Sequence, residues 1–87
     1  MKYQSNYDVR QAVRKVFEER CNLCNEDYNT LLIMFETLRG HVLTDAACAE
    51  KCHQGIRHAV CFLMMGDHLD GDQVKQLLRL ADEIAEG

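Results

Sequence analysis

Val74-Lys75-Gln76-Leu77-Leu78-Arg79-Leu80-Ala81-Asp82-Glu83-Ile84-Ala85-Glu86 returns apolar residues at the period of an α-helix. Val74, Leu77, Leu78, Ala81, Ile84 and Ala85 fall on one face, while Lys75, Gln76, Arg79, Asp82, Glu83 and Glu86 fall on the other. Asp70-Gly71-Asp72-Gln73, just upstream, reads as a capping box. In that motif Asp70 accepts a backbone N–H three residues on, and the Gln73 side chain reaches back. The segment predicts a helix over 72–86.

The rest of the chain follows the same period. It has no proline and only five glycines, so long stretches lack a helix breaker. Thr44 or Asp45 opens a helix over 45–65, with Cys48, Cys52, Ile56, Ala59, Val60 and Leu63 on one side and Gly66 at its end. Asn25 is the expected cap of a helix over 26–39, with Tyr28, Leu31, Leu32, Phe35 and Leu38 inward and Gly40 as the stop. Ser5 or Asn6 caps a helix over 6–20, whose stripe is Val9, Ala12, Val13, Val16 and Phe17. Short connections make successive helices antiparallel neighbours. The expected fold is all-α: residues 1–87 as one compact domain resembling a four-helix bundle.

Two stretches have no polar side. Leu31-Leu32-Ile33-Met34-Phe35 and Cys61-Phe62-Leu63-Met64-Met65 each place five apolar residues in succession, more than one helical turn. Such helices either lie in the middle of the fold or carry a surface that another protein covers. A chain of 87 residues has a thin core: it buries roughly 60–70% of the surface its unfolded form exposes. That limit favours an interface, with Ile33, Met34, Phe62, Met64 and Met65 as the residues in excess. Methionine adapts to varied partners, and aromatic anchors dominate contact energies.

Composition narrows the function classes. Apolar residues make up 47% and charged residues 28%, which places the chain among folded domains. No apolar run approaches the roughly 20 residues that span a bilayer, and Met1–Asn6 lacks a secretory core, so a cytoplasmic location is expected. The net charge of −4 argues against nucleic acid, which demands a basic face. Residues 1–20 carry +2 and residues 66–87 carry −4. The asymmetry fits neighbouring first and last helices; its functional reading is an acidic patch aimed at a basic partner.

The five cysteines are odd in number and sit within helical patterns, as reduced thiols would. Cys21-Asn22-Leu23-Cys24 and Cys48–Cys52 resemble zinc-ligand spacing. Helix 2 separates the pairs by ~20 Å, so these four cannot converge on one ion. Cys21, Cys24 and Cys61, with His58 or His68, form a better-placed set for metal or redox chemistry. Cys52-His53 point about 100° apart on a helix, and His58–Cys61 lack a third orienting group, so no catalytic set emerges. Asp67–Asp72 fails as a calcium loop because the required carboxylate positions hold other residues. A helix-turn-helix around Gly40 would present Glu50, Lys51, Gln54 and Arg57, which is not a basic reading head.

The sequence therefore leads to a non-enzymatic interaction module with no cofactor. It is expected to pair with itself as a homodimer or higher homo-oligomer, or to dock on a larger protein as a regulator, inhibitor or immunity-type partner. The alternatives are a thiol-based metal or redox protein and, behind it, a DNA-binding regulator.

Overall fold

The computed structural model describes residues 2–87. Four helices follow in order: α1 (Asn6–Val16), α2 (Asn25–Thr44), α3 (Ala46–Met65) and α4 (Gly71–Glu86). The all-α, bundle-like architecture expected from the periodicity is what the chain adopts. Its radius of gyration is 12.0 Å, the value a compact chain of this length should have.

α2 and α4 touch each other along the middle of the molecule, with α1 in one groove between them and α3 in the other. Val9 and Val13 of α1, Leu31, Phe35 and Leu38 of α2, Ile56 and Val60 of α3, and Leu77, Ala81 and Ile84 of α4 fill the core. Leu80, Ala49 and the loop residues Leu23 and Leu69 join them, although the sequence stripes did not include these four. Lys2 pairs with Glu83 at 3.0 Å and Arg20 pairs with Asp70, so opposite charges of the two chain ends meet.

Helix boundaries differ from expectation chiefly at the end of α1 and in α2; α3 and α4 each start one residue away from the expected position. α1 stops at Val16, not Arg20, because the following residues are claimed elsewhere. Phe17 turns into the core and meets Tyr28 edge-on at 5.5 Å between ring centroids. The Arg20 carbonyl accepts from the Gln73 side chain at 2.8 Å. Tertiary contacts here outweigh the helix propensity of Glu18-Glu19-Arg20.

α2 runs straight through Gly40 and ends at Thr44. A glycine costs a helix interior only about 1 kcal/mol, and burial of Leu38 on this stretch offsets that. The start of α2 also differs: the cap is Cys24, whose Sγ accepts from the Asp27 N–H at 3.4 Å, not Asn25.

One residue, Asp45, separates α2 from α3. Its backbone is extended (φ −155°, ψ 98°), and its N–H donates to the His41 carbonyl at 2.7 Å. Its carboxylate accepts from the N–H groups of Ala47 and Cys48 at 3.1 and 3.2 Å. Asp45 thus closes one helix and caps the next. The two 20-residue helices fold back as a hairpin, and Cys52 Sγ donates to the Met34 carbonyl at 3.5 Å.

α3 ends in a Schellman-type turn. His68 N–H donates to the Leu63 carbonyl and Asp67 N–H to the Met64 carbonyl, at 2.9 and 3.0 Å. The left-handed residue is Asp67 (φ 61°), one position after Gly66.

Candidate functional site

The surface of interest lies along α2 and α3. Between the first half of α2 and the second half of α3 runs an open groove of about 470 Å³. Leu31, Met34, Ala59, Phe62 and Leu63 supply its apolar lining; Asp27, Thr30, His58 and His68 supply its polar atoms. Asp27, Thr30 and Met34 share a face because they recur at helical spacing, and so do Ala59, Phe62 and Leu63 on the opposite wall.

Small residues let the walls approach. A side chain added at Gly55 of α3 would meet Met34 Cε at 3.8 Å. The Cys52 Sγ bond to the Met34 carbonyl joins the two helices at the same level.

The five residues in excess divide among several faces. Phe62 stands 75% exposed at the lip of the groove. Met34 is half-buried in its floor and packs against the core. It does not point away from the interior, as its place outside the inner stripe suggested, because α2 has a second contact face toward α3. Ile33, 60% exposed, is turned about 100° from Met34 around α2. Met64 and Met65, both exposed, lie outside the groove lining at the end of α3. The structure therefore brings Met34 and Phe62 together and leaves Ile33, Met64 and Met65 apart from them.

Asp27, His58 and His68 belong to the same groove, and the apolar runs gave no sign of the first. The signal was present in the Asp27, Thr30, Met34 spacing. Tyr7 and Leu43 are also exposed and stood outside the expected surface.

The thiols occupy separate places. Cys21, Cys24 and Cys61 are exposed; Cys48 and Cys52 are half-buried. Burial raises the Cys52 thiol above its ordinary value near 9.0. Cys48 is raised too, first by its hydrogen bond to Asp45 at 3.2 Å, then by that carboxylate's charge. Among the described residues, no three His, Cys, Asp or Glu side chains converge as metal ligands. Cys24 caps the start of α2, whereas Cys52 bonds Met34, ten residues or about 15 Å further along the helix axis, and Cys48 lies in the first turn of α3 beyond the far end of α2. Gly40 lies within α2, so the turn of a helix-turn-helix does not occur there.

A second cluster ties the N-terminal segment down. Arg39 donates through Nε to the Tyr3 carbonyl at 3.0 Å and through a terminal nitrogen to the Gln4 carbonyl. The Tyr3 hydroxyl donates to Glu83 at 2.8 Å. Burial first, then this bond and the Glu83 charge, push the Tyr3 phenol up to about 12. These groups hold each other and serve the fold.

No helix among the described residues is long and apolar enough to cross a membrane. Comparison with protein-family models, curated proteins and solved structures finds no match.

Proposed function

We propose that this protein is a non-enzymatic, cytoplasmic interaction module that works by presenting the α2–α3 surface to another protein chain, as a small regulator or inhibitor. The observation that carries the reading is Phe62, a large aromatic side chain three-quarters exposed beside an apolar groove. Full burial of a side chain of this size contributes about 1.5–3 kcal/mol. A partner that covered Phe62 and filled the groove would recover that contribution.

The test compares wild type with Met34→Glu and Phe62→Glu by affinity capture from the native host and by solution mass. Loss of partner capture, or a fall in apparent mass, with unchanged far-UV circular dichroism supports the reading. A wild-type chain that stays monomeric at high concentration and retains no partner overturns it.

A further inference from the structure

We propose that Cys21 and Cys24 form a redox-active dithiol: the pair reduces a low-molecular-weight disulfide and closes as a Cys21–Cys24 disulfide, which makes the start of α2 a thiol switch. The proposal stands independently of the interaction-module reading.

The loop between α1 and α2 holds both thiols outward on an anchored backbone. Leu23, between them, is buried, while Cys21 and Cys24 are exposed and free. The Arg20 carbonyl, just before the pair, accepts from Gln73 at 2.8 Å. The Cys24 carbonyl accepts from the Tyr28 N–H at 2.9 Å, and the Tyr28 ring meets Phe17. With both flanks tied to the core, little chain entropy remains to be lost when the two sulfurs meet.

The sulfurs start close to each other. Cys21 Sγ donates to the Leu23 carbonyl at 3.8 Å. Across a trans peptide, a carbonyl oxygen lies about 2.8 Å from the next Cα. Cys21 Sγ is therefore within about 6.6 Å of the Cys24 Cα. Rotation of the two side chains with a small shift of the loop brings the sulfurs to the bonding distance of about 2.05 Å.

The two thiols take different parts. Cys24 Sγ accepts from the Asp27 N–H at 3.4 Å, at the first turn of the 20-residue α2. A backbone N–H and the positive end of a helix both favour negative charge on an attacking sulfur. Cys24 attacks one sulfur of the disulfide RSSR, forming the mixed disulfide Cys24–SR and releasing RS⁻. Cys21 then gives up its proton and attacks the Cys24 sulfur, forming the internal bond and releasing the second RS⁻. Two electrons pass from the pair to RSSR, and the two thiol protons end on the two RSH products.

Closure reaches the helix. The sulfur that caps α2 becomes bonded to Cys21 and leaves the Asp27 N–H. Asp27 lines the α2–α3 groove, so the change begins at that wall. The other cysteines lack this setting. Cys48 bonds Asp45, and Cys52 is half-buried against Met34. Cys61 is exposed but lies well inside α3, where the backbone N–H groups are committed to the helix.

The full chain, equilibrated in buffers of reduced and oxidised glutathione, quenched in acid and alkylated with N-ethylmaleimide, tests the proposal. As oxidised glutathione rises, a species lighter by two hydrogens and with two fewer alkyl groups should appear, and peptide mapping should join Cys21 to Cys24. Cys21→Ser should stop at a glutathione adduct on Cys24, and Cys61→Ser should leave closure unchanged. With uncharged dipyridyl disulfide as the probe, Cys24 of the Cys21→Ser chain should be labelled about tenfold faster than Cys61. The Asp27 amide resonance should move on closure and return on reduction.

A chain that gains glutathione adducts but never closes overturns the proposal. So does a bond from Cys21 or Cys24 to Cys61 in place of the internal one, labelling of Cys61 as fast as Cys24, or an Asp27 amide that closure leaves in place.

Discussion

The Gln73 side-chain amide donates to the Arg20 carbonyl at 2.8 Å, across 53 residues of chain. Gln73 also accepts from the Asp70 N–H at 3.3 Å, while its own N–H donates to Asp70 at 2.8 Å. One side chain therefore completes the α4 capping box and fastens the loop after α1. Among the described residues it is the buried polar one, at 5% exposure. Gln73→Ala should cost about 1–3 kcal/mol, since it removes hydrogen bonds and opens a buried site. Urea denaturation measures this. An unchanged midpoint would show that the bond to Arg20 contributes nothing.

Gly40 and Asp67 are expected to respond in the stabilising direction. A side chain at Gly40 would meet no heavy atom within 4 Å, and the position is an ordinary helix interior. Gly40→Ala should stabilise by about 0.5–1 kcal/mol, raising the thermal midpoint by a few degrees. Asp67 holds the left-handed turn position that glycine occupies without steric cost. Asp67→Gly should gain a similar amount. Calorimetry of the two variants checks both.

Acid should destabilise the fold. Asp45 is held below its ordinary value near 3.8, chiefly by the Cys48 N–H. Asp70 is also lowered from 3.8, first by the Gln73 N–H and then by Arg20. Glu83 is lowered from 4.5, first by its bond from Lys2 and then by that from Tyr3. Their folded values lie below the unfolded ones, so their contribution is complete above about 4.5 and falls as pH drops through 4.5 and 3.8. Tyr3 acts at the other extreme. Its raised folded value means that stability present below 10 is lost as pH rises toward 12. Midpoints of urea unfolding from pH 2 to 8 test the acid limb. Absorbance titration of the phenols tests Tyr3.

Thiol chemistry should separate the cysteines into two groups. Exposed Cys21, Cys24 and Cys61 should react with a disulfide reagent well before Cys52, whose thiol is partly buried, bonded to Met34 and raised by burial. Cys48 should also lag, because Asp45 opposes its ionisation. Peptide mapping after timed labelling gives the order. Rapid labelling of Cys52 in the native protein would mean that the α2–α3 contact opens readily.

Much of this fold was legible from periodicity alone. Val74, Leu77, Ala81 and Ile84 lie where their spacing puts them, and Asp70 and Gln73 make the box their spacing implies. These are local matters: helical repeat and capping depend on residues within four positions of each other. Ile33 and Phe62 were likewise legible as apolar residues without a place in the core stripes, and both are exposed.

Other features belong to the tertiary structure. Gly40 carries a stop signal, yet α2 continues because packing around Leu38 outweighs one glycine. Glu18-Glu19-Arg20 favours a helix, yet Phe17, Leu23 and the Gln73–Arg20 bond pull that segment into a loop. Met34 and Phe62 meet across one groove only because α2 and α3 fold back at Asp45. Sequence spacing orders residues around a single helix axis; which faces of two helices converge depends on how their side chains interlock, and that is decided when the whole chain packs.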